Sequence, residues 1–248
     1  MQLAELSSYA IAELPKATPV VIPLAAMEQH GRHLPLATDS LLCAEVLRRA
    51  EERLADRVLV APLQWLGNSD HHLEFCGTMS AGPRTYLDLL NDVLETFLTH
   101  GFRRLVLFNG HGGNDVPARQ AIFETRQRHR RRSDLLLLLT TYWALGSKPQ
   151  EIEPSLVQRQ MGHACEWETS MMLRLRPDLV GDYQSLEPIS QTMPLEPAAQ
   201  GWITPDRSQV GHIGNPSAAT AVKGEKLLSI FADDAVAMLE RVMAWRAP

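Results

Sequence analysis

The run Arg104-Leu105-Val106-Leu107-Phe108-Asn109-Gly110-His111-Gly112-Gly113-Asn114 sets the fold class. Its first five residues are apolar at nearly every position instead of alternating, the pattern of a parallel strand covered on both faces. A glycine-rich turn follows, and residues 114–132 then read as an amphipathic helix. Three further apolar runs, residues 19–24, 58–63 and 135–141, have the same character, with helices at residues 40–54 and 83–100 between them. In the second of these helices Tyr86, Leu89, Leu90, Val93, Leu94 and Phe97 recur at helical spacing, Pro83 suits the first turn and Gly101 the end. Strand and helix in alternation predict an α/β protein, a three-layer αβα sandwich around a mainly parallel sheet.

A chain of 248 residues can bury a substantial core, as one large domain or two small ones. Residues 146–162, with Pro149 and Pro154, read as irregular, Glu166–Leu175 as a helix and residues 218–245 as a last amphipathic helix. Residues 177–216 carry Pro177, Pro188, Pro194, Pro197, Pro205 and Pro216. They read as a long excursion near a site or a subunit contact, so residues 1–248 are taken as a single domain. The composition, 45% hydrophobic and 21% charged, is that of a soluble globular chain. A net charge of −5 argues against a nucleic-acid partner, and the basic run at residues 126–132 reads as a solvated helix end. Three cysteines, Cys43, Cys76 and Cys165, form no Cys-x-x-Cys pair and are odd in number, which fits a reducing cytoplasm better than a disulfide framework. No basic segment leading into an apolar one marks a secretory signal, and the longest aliphatic run, residues 135–139, is too short to span a bilayer.

Two segments at the ends of strands carry the chemistry. The first is Met27-Glu28-Gln29-His30-Gly31-Arg32-His33-Leu34-Pro35-Leu36-Ala37-Thr38-Asp39; the second is the Asn109–Asn114 turn. Ligands of open parallel sheets gather at the carboxyl ends of strands, so Glu28, His30 and His111 are expected on one rim. Asp39 is an N-cap if read alone; in a loop already holding Glu28 and His30 it reads as a metal ligand, with two oxygens able to bridge two ions. The glycine turn can also cradle phosphate, but it matches neither common phosphate fingerprint, and its histidine is natural as a metal ligand. In a third segment, His163-Ala164-Cys165-Glu166-Trp167-Glu168-Thr169-Ser170, helical spacing puts His163 and Glu166 on one face and Glu168 elsewhere. Of the adjacent His71 and His72, which follow the second strand, His72 is the one expected to face substrate. A Cys165–His163 nucleophile pair is the fallback.

Together these segments resemble the creatininase (creatinine amidohydrolase) family. Its E-Q-H-G-x-H-x-P-x-x-x-D, N-G-H-G-G-N and H-A-x-E-x-E-T-S segments are matched in order over about residues 20–220. The resemblance implies the αβα fold, two divalent metal ions, zinc and/or manganese with iron also compatible, a small-molecule amide substrate, and a homo-oligomer, hexameric as in creatininase. It implies Glu28 and His111 on one ion, His30 on the other and Asp39 between them. Creatininase takes its last carboxylate ligand from the glutamate two residues after the histidine of its N-G-H-x-E string; Gly113 stands there, and Glu166 is expected to replace it. His163 matches the family's catalytic histidine, with Glu166 the second candidate for moving the proton. Trp143 matches one of two substrate-binding tryptophans of creatininase. At the place of the other stands the segment from Arg159, a residue suited to an anionic substrate group. The implied reaction is hydrolysis of a C–N bond in a small cyclic amide or formamide by a metal-activated water. Relatives that trim a modified peptide give the alternative, and a non-catalytic metal-binding or nucleotide-binding α/β protein is the contrasting class.

Overall fold

The four apolar runs pair as one parallel sheet. Val20–Leu24 (β1), Leu59–Val60 (β2), Arg104–Asn109 (β3) and Leu136–Thr141 (β4) lie in the order β2-β1-β3-β4. Val20 stands opposite both Leu59 and Leu105, and Arg104 opposite Leu136. The computed structural model describes residues 1–193, 195 and 197–247, so Pro194 of the long excursion lies outside the described residues.

Eight α-helices complete the fold of the described residues: Ser8–Glu13 (α1), Thr38–Leu54 (α2), Pro83–Thr99 (α3), Asp115–Arg128 (α4), Pro149–Ile152 (α5), Glu166–Leu175 (α6), Thr204–Arg207 (α7) and Ala221–Ala244 (α8). Successive strand residues point to opposite faces; both faces are buried along β1, β2 and nearly all of β3, while β4 at the edge is half-buried. Val21, Val106 and Phe108 pack with Leu42 and Val46 of α2, Met171 of α6 and Phe231 of α8. Val20, Ile22, Leu105 and Leu107 pack with Tyr86, Leu90 and Leu94 of α3 and Ala118 and Ala121 of α4. This is why the strands read as unbroken aliphatic runs, and it makes the three layers. α6 and α8 cross closely at Gly224, where a Cβ would collide with the Ser170 carbonyl.

Several boundaries differ from the sequence expectation. β2 is two residues long because Pro62 brings no N–H to the ladder; Gln64 recovers one bridge to Leu24. α4 stops at Arg128, and residues 129–132 close a turn in which the Arg132 N–H donates to the His129 carbonyl at 2.9 Å. α8 starts at Ala221, where the Thr220 hydroxyl accepts the Lys223 N–H. The 146–162 segment contains the short helix α5. Among the described residues no helix is long and apolar enough to cross a membrane.

Candidate metal centre

The loops leaving β1, β2 and β3 converge on one rim, as the parallel topology requires. Glu28 is fully buried four residues after β1, its N–H donating to the Leu36 carbonyl at 3.0 Å. His30 follows it, and the chain reverses at Gly31, whose φ of +64° lies in the left-handed region. α2 begins at Thr38, so Asp39 lies in its first turn and Ala37 is the capping position. The Asp39 side chain is therefore not a cap: Oδ1 lies 3.1 Å from His30 Nε2 and Oδ2 3.0 Å from His111 Nδ1. Glu28 Oε1 is 3.3 Å from His111 Nδ1 and 3.3 Å from His72 Nε2.

The outward nitrogens of the two histidines are equally well defined. His30 Nδ1 donates to the Glu28 carbonyl at 3.1 Å, and His111 Nε2 to the Asn68 carbonyl at 3.0 Å. Gly113 makes the second bond possible, because a Cβ there would collide with the Asn68 carbonyl oxygen and the His111 ring. Burial opposes charge on all four groups, yet their mutual contacts prevail. His111 and His72 hold the Glu28 carboxyl well below its usual range, and His30 lowers that of Asp39. Asp39 and Glu168 raise His30 well above the usual imidazole value, and Glu28 with Asp39 does the same for His111.

The third segment departs from expectation. Ala164 has a φ of +48°, Cys165 is the N-cap and the helix starts only at Glu166. His163 is therefore not on the helix but in a bridge with Ile213, and counting helical turns from it fails. The carboxylate that reaches the cluster is Glu168, with Oε1 3.6 Å from His30 Nε2 and Oε2 accepting the Cys165 N–H at 3.3 Å. Glu166 turns away from the site. Its buried carboxylate accepts from Lys223 Nζ at 2.6 Å and from the N–H groups of Val157 at 2.9 Å and Gln158 at 2.7 Å. The capping pair Cys165–Glu168 was the signal that could have placed the helix start and exchanged the two roles.

His163 does enter the site, with Nδ1 3.7 Å from Glu28 Oε1 and its ring 4.4 Å from that of His30. Burial, together with His30 and His72, pushes its pKa well below the usual value. Cys165 is no nucleophile beside it: the thiol is buried, pushed up to about 12 and accepts the Gly162 N–H. His71 and His72 share a short 3-10 turn, Asp70–His72, instead of an extended strand, and both line the cavity. Groups able to hold a cation are Glu28 with His71 and His111, Glu28 with His30 and Asp39, His30 with His163 and Glu168, and Glu28 with His72 and His163.

Above this floor opens a cavity of about 680 Å³, walled by Trp143, Met161, Trp202 and Arg207. Trp143, expected to bind substrate, is on the cavity wall. Arg159 is not, being exposed and outside the lining. The cavity's arginine is Arg207, whose guanidinium lies 4.8 Å over the Trp202 ring, and Trp202 in turn packs on His71 at 5.1 Å. Both come from the proline-rich excursion, which carried no local signal for them.

Comparison with known proteins agrees with this geometry. The family model described as creatinine amidohydrolase matches residues 4–239. A mycofactocin precursor peptide peptidase of Mycobacterium ulcerans is 31% identical, over 96% of this chain and 92% of that protein. A creatinine amidohydrolase of Pseudomonas putida is 30% identical, over 85% and 84%. A crystal structure of creatininase superposes with a TM-score of 0.84 at 26% identity, over 99% and 98% of the two chains. Solved relatives include a manganese form and a zinc–zinc variant, each 27% identical over 97% of both chains, with TM-scores of 0.82 and 0.81. With sequence, fold and rim geometry in agreement along nearly its whole length, this chain belongs to the creatininase family.

Proposed function

We propose that this creatininase-family hydrolase cleaves an amide C–N bond with two divalent ions, one at Glu28, His111 and Asp39 and one at His30, Asp39 and Glu168. The observation that carries the reading is the posture of His30 and His111. Each gives its outer nitrogen to a backbone carbonyl and turns its inner nitrogen to a different oxygen of Asp39, the way metal-binding imidazoles are oriented. Both oxygens of Glu28 and Oδ2 of Asp39 are buried without a hydrogen-bond partner, a deficit that a cation removes. An all carboxylate and imidazole donor set suits zinc or manganese.

When bound, such ions supply Lewis acidity and a water ionised near neutral pH. The chain's own groups handle orientation and the proton. His163, kept neutral by burial and by its histidine neighbours, accepts a proton and delivers it to the leaving nitrogen. Trp143 and Trp202 hold the substrate from the walls. A cavity of about 680 Å³ is of a size that takes drug-sized ligands, and a relative 31% identical over 96% of the chain is named for a precursor peptide. These two observations favour a peptide substrate over a small cyclic amide or formamide.

The test is metal content on protein purified without chelator, followed by assay on short peptides, creatinine and N-formyl amines. Peptide cleavage that stops on chelation and returns with zinc or manganese supports the proposal. Preference for creatinine or a formamide moves the substrate to the smaller class. A chain that carries both ions and cleaves none of them refutes the hydrolase reading.

A further inference from the structure

The sheet ends differently at its two sides. Its outer strands are β2 and β4. At β2 the outer side is short and covered. The N–H groups of Leu59 and Ala61 point inward and donate to the carbonyls of Pro19 and Val21 at 2.9 and 2.8 Å. The Val60 N–H points outward and donates to the Met1 carbonyl at 2.9 Å. Gln2 bridges Val60 as well, and Pro62 carries no donor beyond it.

β4 has no such cover. The Leu136 N–H donates to the Arg103 carbonyl at 2.8 Å, so Leu136, Leu138 and Thr140 turn their backbone groups to β3. Leu137 and Leu139 turn theirs away. Among the described residues neither the N–H nor the C=O of these two meets a hydrogen-bond partner. All six residues of β4 are only half-buried, and the run Leu136–Thr141 holds four leucines and two threonines, with no charged residue and no proline. Charge, proline and short length are the usual guards of a strand edge. β2 has two of them and β4 has none.

The edge itself points to its occupant. A second copy brings an identical row of outward groups. A two-fold axis beside β4 lays the strand antiparallel against itself, so that Leu137 and Leu139 of each copy bond to outward-facing residues of the other. Leucine then meets leucine across the seam on both faces of the sheet. The arrangement also consumes the open β4 edge of both copies, so the sheet stops growing at two. We propose that two copies of this chain join through β4, merging two four-stranded sheets into one of eight strands. The strands of the two copies run in opposite directions, so the two cavities open at opposite ends of the joined sheet. Trp143, on the cavity wall, lies two residues beyond the end of β4, and the pairing braces the strand that carries it.

Sedimentation velocity on the full chain at tens of micromolar, with Leu139→Pro beside it, tests the pairing. The Leu139 N–H points away from β3, so proline there spares the ladder inside the copy. Between copies it removes two symmetry-related hydrogen bonds and sets a ring where a hydrogen was. The parent is expected to contain an even number of chains. Leu139→Pro is expected to keep the parent's circular dichroism and to sediment with half its mass, the dissociation constant of the pair rising by at least on the order of 100-fold. Hydrogen exchange on the parent reads the same contact without a substitution: the Leu137 and Leu139 amides should exchange slowly in the assembled protein. If Leu139→Pro does not fold, Leu137→Lys takes its place, putting a charge on the open edge while keeping every N–H, and it too should halve the mass. A parent that is a single copy or an odd-numbered assembly overturns the proposal. So does an assembly whose mass the folded variant leaves unchanged, or one in which both outward amides exchange fast.

Discussion

Glu166→Gln and Glu168→Gln differ by two positions and one amide group, and they are expected to fail in different ways. Glu166 is fully buried, accepts two backbone N–H groups and meets Lys223 Nζ at 2.6 Å, a lysine itself only 9% exposed. The amide keeps the volume but leaves the Lys223 ammonium buried without its counter-charge. Removing one partner of such a pair costs roughly 3–5 kcal/mol. For a chain of this size 1 kcal/mol moves the melting temperature by roughly 2–4 °C, so Glu166→Gln should melt roughly 6–20 °C below the parent. Its metal content should match the parent's at low temperature, because its carboxylate faces α8 and not the rim. Glu168→Gln should reverse the pattern, losing metal while the stripped protein melts close to the stripped parent. Calorimetry and elemental analysis on the same preparations test both. Metal loss in Glu166→Gln with an unchanged melting temperature would refute the placement of the two carboxylates. A second control is Lys223→Met on the Glu166→Gln background, which removes the stranded charge and should recover part of the lost stability.

Three further outcomes are expected. In the metal-free protein the raised His30 and His111 give stability that is complete below 6.5 and fades as pH rises through their folded values, while Glu28 and Asp39, lowered, give stability that is lost only as pH falls through theirs. Because ions must displace the histidine protons, the melting-temperature gain on adding zinc should be larger near pH 8 than near pH 6; an equal gain at both would count against these ligands. Iodoacetamide on the native protein should label Cys76, which is exposed, and spare the buried Cys43 and Cys165, as peptide mapping can read; rapid labelling of Cys165 would contradict its raised pKa. Gly113→Ala should drive the His111 ring off the Asn68 carbonyl and weaken metal affinity by roughly 10- to 100-fold, measured by competition with a chelating dye; unchanged affinity would mean that the outer bond of His111 is dispensable.

The layers of this fold were legible because parallel strands buried on both faces must be aliphatic at consecutive positions, as residues 104–108 are. The rim residues Glu28, His30 and His111 were legible for a related reason: each follows a strand closely, and the topology leaves it little freedom. Asp39 was identified as a possible ligand, and its place in the first turn of α2 frees it from capping. Legibility failed where one local dihedral decides. A left-handed Ala164 uncouples His163 from α6, so a helical count from the histidine selected Glu166 instead of Glu168. It failed again where the partners are distant in sequence. Trp202 and Arg207 arrive on an irregular segment whose course is set by contacts such as Trp202 on His71, and nothing in the neighbouring residues encodes that meeting.

The origin of Glu168 and His163, far along the chain from Glu28 and Asp39, has a consequence for how the molecule forms. The first two strands and β3 with their loops can bring Glu28, His30, Asp39 and His111 together, but the remaining carboxylate arrives only when α6 docks on α2 and α8. Closing so long a loop is slow compared with local pairing. An emerging chain would therefore hold a partial, weaker ion site, and full-affinity loading would be a late event that reports the seating of α6. Metal capture during refolding should trail the recovery of helical and sheet signal, making the ion a timer of the last long-range step.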